Sequence, residues 1–226
     1  MSQKSSCRRL SSSVVKKQVM GITGLMLCGF LVSHLITNSL MYVSGELFNT
    51  AAHALITNPL IIPAEIILGL VFLSHIGLAI KLTLENRSAR PEAYYMKRKP
   101  TGRGATFASS TMIYTGLIVL VFLILHILEV KFGPEYLVTY NGVEMRDLYK
   151  LLIEIYSNPI VVIWYVFAVC ALGIHVSHGL WSAFQSIGFN HPRYTPLLQK
   201  IAKVYAVVIA VGFSALPIYC YLQGVN

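Results

Sequence analysis

The chain has 226 residues, of which 55% are hydrophobic and only 12% are charged. An average soluble domain is about one-quarter charged, so this composition excludes an ordinary soluble enzyme and indicates an integral membrane protein. The net charge of +9 does not indicate nucleic-acid binding. Lys and Arg form short clusters between long apolar runs, which is the pattern that membrane topology produces.

Five apolar stretches are each about as long as the roughly 20 residues that cross a membrane. The first, at 19–43, follows a basic tail as a signal peptide would, but its length and the lack of a small-residue cleavage site predict a retained helix. The others cover 60–84, 108–130, 160–187 and 201–222, and Pro217 predicts a kink in the last. The sequence thus predicts an all-α membrane protein, a single domain over residues 1–226 with five transmembrane helices.

The basic residues predict the orientation of these spans. The N-terminal tail and the second connection are rich in Lys and Arg, whereas the connection at 44–59 has none, so the tail and the second connection are expected in the cytoplasm. The N-terminus is then inside and the C-terminus outside. An amphipathic segment at 147–156 is expected on the outer surface. The predicted cytoplasmic residues are Lys4, Arg8, Arg9, Lys16, Lys17, Lys81, Arg87, Arg90, Lys97, Arg98, Lys99 and Arg103.

Histidine is the ionisable residue that recurs inside the spans, and such residues are costly to bury without a function. At 1.5 Å per residue, His34 and His126 lie roughly 22 and 27 Å from the inner ends of their helices, near the outer face. His75 and His175 each follow an outer-end proline by sixteen residues, about 24 Å, and lie near the inner face. Two histidine pairs at two depths predict two bis-histidine haems, His34 with His126 and His75 with His175, in a four-helix bundle joined by a fifth helix.

His178 shares a helix face with His175, so one of the two is expected to bind iron while the other contacts a haem propionate or a quinone. No C-x-x-C-H motif is present, so covalent haem attachment is not indicated. Two other interpretations are histidines that hydrogen-bond between helices and a transporter with a histidine proton relay. Four histidines at matched depths, with few Asp or Glu in the spans, disfavour both.

The histidine motifs resemble those of a known family. They read T-G-L-M-L-C-G-F-L-V-S-H ending at His34, L-S-H-I-G-L-A-I-K around His75, L-I-L-H-I-L around His126 and G-I-H-V-S-H-G-L-W-S-A-F-Q from Gly173. With the basic loop E-N-R-S-A-R-P, this set resembles the b558-type di-haem cytochrome b anchors of succinate dehydrogenases and fumarate reductases. The resemblance covers nearly the whole chain.

The resemblance implies a multi-pass subunit of a bacterial cytoplasmic membrane, which carries two haems b and no flavin or dicarboxylate site. Flavoprotein and iron–sulfur subunits would dock on the basic face, and electrons would pass from the inner haem to the outer haem and to a quinone, commonly menaquinone. His175 matches the fourth family ligand. The alternative is a di-haem cytochrome b of another quinone-linked oxidoreductase.

Two positions depart from related fumarate reductases. Those proteins have a glutamate of a proton path two residues before the fourth ligand, where this chain has Gly173. They also have an acidic residue, implicated at the quinone, near the outer start of the second span; Glu65 is the nearest candidate here, but its spacing to His75 does not match. The family proton path is therefore not expected in this chain.

Overall fold

The computed structural model describes residues 13–88 and 107–225. Within these residues, five helical segments are long and apolar enough to cross a membrane, which confirms the predicted all-α membrane fold. The elements are α1 (Ser13–Ser39) continued by a 3-10 turn (Leu40–Tyr42), α2 (Gly45–Ile56), α3 (Ile61–Ser88), α4 (Phe107–Ser110), α5 (Met112–His126) continued by a π-helical turn (Ile127–Lys131), β1 (Leu137–Tyr140), β2 (Val143–Arg146), α6 (Leu148–Tyr156), α7 (Pro159–Ser186) and α8 (Thr195–Val225).

Helix α7 lies at the centre of the bundle and packs against α1, α5 and α8, while α1 also packs against α3. The spans expose many large apolar side chains, among them Leu73 at 69%, Ile163 at 68% and Val204 at 65%. Contiguous apolar surface of this extent is unfavourable in water but matches lipid. The histidine-bearing helices α1, α3, α5 and α7 thus form the predicted bundle, with α8 as the additional helix.

Two spans begin earlier than the apolar pattern predicts. Helix α1 already includes Lys16, which is 9% exposed and donates to Glu85 Oε2 on α3 at 2.7 Å. This ion pair offsets the cost of a charge within the first helical turns. Helix α8 begins at Thr195, before the predicted span at 201–222, and runs through Pro217 to Val225. Pro217 therefore does not end the last helix.

The first and third connections contain more structure than the sequence pattern predicts. The first forms α2, and the third contains an antiparallel hairpin of β1 and β2. Its turn has Asn141 at φ 51° and Gly142 at φ 78°, the left-handed conformations that an Asn-Gly hairpin turn requires. The predicted amphipathic segment is α6, whose Leu151 and Leu152 are buried. It packs against α2, α7 and α8 as part of the fold.

Asn49 joins these outer elements and is fully buried. Its side-chain nitrogen donates to Asp147 Oδ1 at 2.8 Å, and its side-chain oxygen accepts from the backbone N–H of Tyr149 at 3.0 Å. Both polar ends of the amide are therefore satisfied, which a buried polar group requires. Asn49 thereby fixes α2 against the start of α6.

Most basic residues of the predicted cytoplasmic face lie outside the described residues. Those are Lys4, Arg8, Arg9, Arg90, Lys97, Arg98, Lys99 and Arg103. The described members are Lys16 and Lys17 in the first turns of α1, Lys81 toward the end of α3, and Arg87 in the last turn of α3.

Candidate functional site

The four spans bring their histidines together in two pairs. The rings of His34 and His126 have centroids 6.0 Å apart, at an angle of 82° between their planes. The rings of His75 and His175 have centroids 6.5 Å apart, at 66°. These are the two pairs that helix depth predicts, and each pair joins different helices.

The pairs occupy separate levels of the bundle. Thr23 on α1 lies 3.2 Å from His75 Nδ1 and therefore marks the level of the His75–His175 pair on that helix. His34 lies eleven positions further along the same helix, a rise of about 16 Å. On α5, Thr115 lies 3.2 Å from His175 Nδ1, and His126 again follows by eleven positions. Two independent helices thus give the same separation between the levels.

The ring separations fit one iron between each pair. A metal–histidine bond of about 2 Å and ~1.1 Å from nitrogen to ring centre place two opposed imidazole centres roughly 6 Å apart. Among residues 13–88 and 107–225, no three His, Cys, Asp or Glu side chains converge on a site for a metal held by protein alone. Two imidazoles need a macrocycle to complete the coordination, so the donor set fits haem rather than a protein-only metal centre.

His178 lies one turn beyond His175 on α7, and its ring contacts that of Trp181 at 5.3 Å. Its Nδ1 atom is buried and has no hydrogen-bond partner among the described residues. An unpaired buried nitrogen is costly, which makes His178 a candidate to bind a polar ligand group. The ring contact with His75 belongs to His175, which fits the sequence-based choice of His175 as the ligand.

A polar pair that the sequence did not predict, Tyr165 and Glu129, lies beside His126. The hydroxyl of Tyr165 on α7 donates to Glu129 Oε2 at 2.6 Å, and its ring lies 6.0 Å from that of His126. Phe122, one turn before His126 on α5, stacks on His126 at 5.5 Å and contacts the Tyr165 ring at 5.0 Å. The signal in the sequence is the i, i+3 spacing of His126 and Glu129, which aligns them along one side of the span.

The acidic candidate of the second span is already paired. Glu65 Oε2 on α3 lies 2.6 Å from Lys131 Nζ at the end of the third span, and both side chains are about half exposed. This contact joins the outer ends of two histidine-bearing spans.

Gly173 lies at a close contact between α7 and the last span. A Cβ added there would lie 2.9 Å from Ala210 Cβ and 3.4 Å from the Ala206 carbonyl oxygen. A glutamate at this position would have to displace α8. The packing thus gives a physical reason for glycine where related fumarate reductases carry the glutamate of a proton path.

Comparison with known proteins bears on this arrangement. The chain is 28% identical over 188 residues to the succinate dehydrogenase cytochrome b558 subunit of Bacillus subtilis (strain 168). The resemblance to b558-type anchors is thus confirmed. The match covers 82% of this chain and 83% of the relative. The residues outside the match are fewer than any two of the five spans contain, so the match includes at least part of four spans. No family model and no solved structure matches the chain.

Proposed function

We propose that this chain is the cytochrome b membrane anchor of a succinate:quinone oxidoreductase, in which two haems b carry electrons between an iron–sulfur subunit and a quinone. The observation that carries the proposal is the presence of two histidine pairs from different helices, with ring centroids 6.0 and 6.5 Å apart, at separate levels of one bundle. The relative's description as a succinate dehydrogenase subunit favours this oxidoreductase over other quinone-linked ones. The family branch makes menaquinone the favoured quinone.

The chain's own residues hold and orient the cofactors. His34 with His126, and His75 with His175, would fill both axial positions of each iron and leave no site for substrate at the metal. When bound, the haems supply one-electron carriers within the membrane. We assign no catalytic residue to the chain, because the dicarboxylate chemistry belongs to the soluble subunits. His178 is proposed to donate from its unpaired Nδ1 to a haem propionate or to quinone.

The acidic residues near the spans disfavour a proton-coupled transporter. A proton relay through a membrane needs ionisable groups in series. Here Glu65 pairs with Lys131, Glu85 with Lys16, and Glu129 accepts from Tyr165. Each carboxylate lies toward the end of a span and is bound to a neighbour, so none of the three lies between the two histidine pairs.

The purified complex tests the proposal directly. We expect a reduced-minus-oxidised spectrum of b-type haem, two haems per chain, and two copurifying soluble subunits with flavin and iron–sulfur clusters. Both irons should be low-spin, because each has two imidazole ligands. A single haem per chain, or a high-spin iron that binds small ligands, contradicts the ligand assignment. Soluble partners without flavin would instead indicate another quinone-linked oxidoreductase.

The partner subunits are expected on the basic, cytoplasmic face of a bacterial cell membrane, with the N-terminus inside and the C-terminus outside. Positive residues concentrate on that side in inner-membrane proteins. Lysine-directed crosslinking of the complex should therefore join the iron–sulfur subunit to the loop at 85–103. Lys131 and Lys150, on the opposite side, serve as internal controls. Crosslinks concentrated at 131–157 would contradict this orientation.

A further inference from the structure

The rings of the inner histidine pair are each held by a threonine from a neighbouring helix. Thr23 Oγ1 on α1 lies 3.2 Å from His75 Nδ1 on α3, and Thr115 Oγ1 on α5 lies 3.2 Å from His175 Nδ1 on α7. Both threonines are buried, at 7% and 6% exposure. The same contact thus occurs twice, on two different pairs of helices.

The neighbouring carbonyls determine which atom carries the proton. Thr23 Oγ1 lies 2.9 Å from the Val19 carbonyl oxygen and 3.0 Å from that of Met20. A carbonyl can only accept, so it takes the single hydroxyl proton of the threonine. The Thr23 oxygen is then left as an acceptor for His75 Nδ1, and the Met20 carbonyl is a second acceptor for the same ring.

Thr115 is arranged in the same way. Its Oγ1 lies 3.1 Å from the Thr111 carbonyl oxygen and 3.2 Å from that of Met112, so its proton is also directed into its own helix. The Thr115 oxygen is therefore an acceptor for His175 Nδ1, and the Met112 carbonyl is a second acceptor for the same ring. Both inner imidazoles then carry their proton on Nδ1, which leaves the Nε2 lone pair free.

We propose that Thr23 and Thr115 are matched positioning residues that fix the tautomer and orientation of both inner haem ligands and increase their electron donation to iron. A histidine ligand that donates its other N–H to an acceptor is a stronger base and has a fixed ring orientation. This inference rests on the proposed haem function, and it adds two residues that act through His75 and His175.

The glycine after each threonine completes the arrangement. A Cβ at Gly24 would lie 3.4 Å from His75 Cε1, and one at Gly116 would lie 3.3 Å from His175 Cε1. Each Thr-Gly pair thus gives the ring a hydroxyl acceptor beside Nδ1 and bare backbone against the adjacent ring carbon. A larger residue at either glycine would press on the imidazole.

The same sequence pattern produces this threonine–glycine arrangement in both α1 and α5. The tripeptide T-G-L occurs at 23–25 and at 115–117, and a histidine follows each threonine by eleven positions. Eleven residues are close to three helical turns, so the threonine and the outer histidine lie on the same side of their helix. Each of these helices therefore orients an inner ligand and supplies an outer one.

The outer pair has no matched acceptors of this kind. His34 Nδ1 lies 3.3 Å from the side-chain nitrogen of Asn38 on its own helix. His126 Nδ1 is buried without a hydrogen-bond partner among the described residues. Removing the threonine hydroxyls should therefore affect the inner haem and leave the outer haem unchanged.

Valine variants of the assembled complex test the proposal. Thr23→Val and Thr115→Val keep the size of the side chain and remove the acceptor. Ferric iron is then less stabilised, so a redox titration should show a higher midpoint potential for the inner haem in each variant and a larger shift in the double variant. The outer haem should keep its potential. Because the rings lose an orienting contact, the low-spin electron paramagnetic resonance signal of the inner haem should also shift.

Serine variants and a control threonine variant distinguish the effect of the hydroxyl on the histidine rings from an effect on helix packing. Thr23→Ser and Thr115→Ser retain the hydroxyl and should restore the wild-type potential and resonance signal. Thr83→Val is the control, since the Thr83 hydroxyl donates to the Ala79 carbonyl within α3, and it should leave both haems unchanged. Should a valine variant fail to assemble, Thr115→Ala removes the same acceptor with a smaller side chain.

The outcomes distinguish this inference from the proposed function. Loss of the inner haem alone in the double valine variant would also support the positioning role. A wild-type complex with two haems whose inner potential and resonance signal are unchanged in that variant would overturn the inference and leave the proposed function intact. Equal shifts of both haems, or failure of the serine variants to restore the signal, would also overturn it. A wild-type complex without haem would refute both proposals.

Discussion

Replacing His175 with alanine is expected to remove the inner haem and reduce the haem content of the complex from two to about one. The His75 and His175 rings have centroids 6.5 Å apart, so loss of His175 would leave the inner iron with one protein ligand. Replacing His178 should instead retain both haems, with a shifted potential or weaker reactivity with quinone. Haem content and the reduced-minus-oxidised spectrum measure the difference.

The neighbouring groups explain why two histidines one turn apart should behave differently. His175 Nδ1 is bound by Thr115, which leaves its other nitrogen for iron, whereas His178 Nδ1 has no partner among the described residues. His191→Ala is the matched control, because His191 is an exposed histidine in the connection before the last span. Loss of a haem in His178→Ala and its retention in His175→Ala would reverse the assignment.

The fold could be predicted from the sequence largely because lipid restricts the possible structures. A long apolar run can satisfy its backbone groups only as a helix, so the five spans follow from length and composition. Their ends could not be predicted from hydropathy alone, because contacts decide them. Lys16 is included in α1 through its pairing with Glu85 on another helix, which no local window contains.

The histidine pairs could be predicted from depth because helical rise converts sequence position into distance. The residues around them depend on helix rotation and on contacts between helices, which depth does not give. Thr23 and Thr115 were missed for this reason, although the repeated T-G-L and its constant spacing to a histidine were available in the sequence. The Asn-Gly dipeptide at 141–142 is a second local signal, since it is typical of a hairpin turn, but it lies in a short connection between long apolar runs.

The two levels also imply that each haem can be lost separately. On α1 and α5 the inner contact and the outer histidine are about three turns apart, so a change at one level leaves the other histidine pair on intact helices. The outer level has additional support from Phe122 and from the core around Tyr165, which contacts the His126 ring. Truncation of one outer histidine should therefore not unfold the bundle.

Replacing His126 or His34 with alanine is accordingly expected to remove the outer haem while the inner haem remains, again from two haems to about one per complex. The two rings have centroids 6.0 Å apart, so either change would leave the outer iron with a single imidazole. Electron transfer from the outer haem to the quinone should be lost with it. Low-temperature difference spectra of the two variants should show the same missing component, distinct from the one missing in His75→Ala.

Tyr165→Phe is the control for the outer level, because it removes the hydroxyl that binds Glu129 and keeps the ring packed beside His126. That variant should retain both haems, since Tyr165 contacts the ligand without binding iron. The level assignment would be wrong if His34→Ala removed the same spectral component as His75→Ala and left the other in place. If His34→Ala and His126→Ala lacked different spectral components, the pairing of His34 with His126 would be wrong. Removal of either ligand of one iron should remove the same haem.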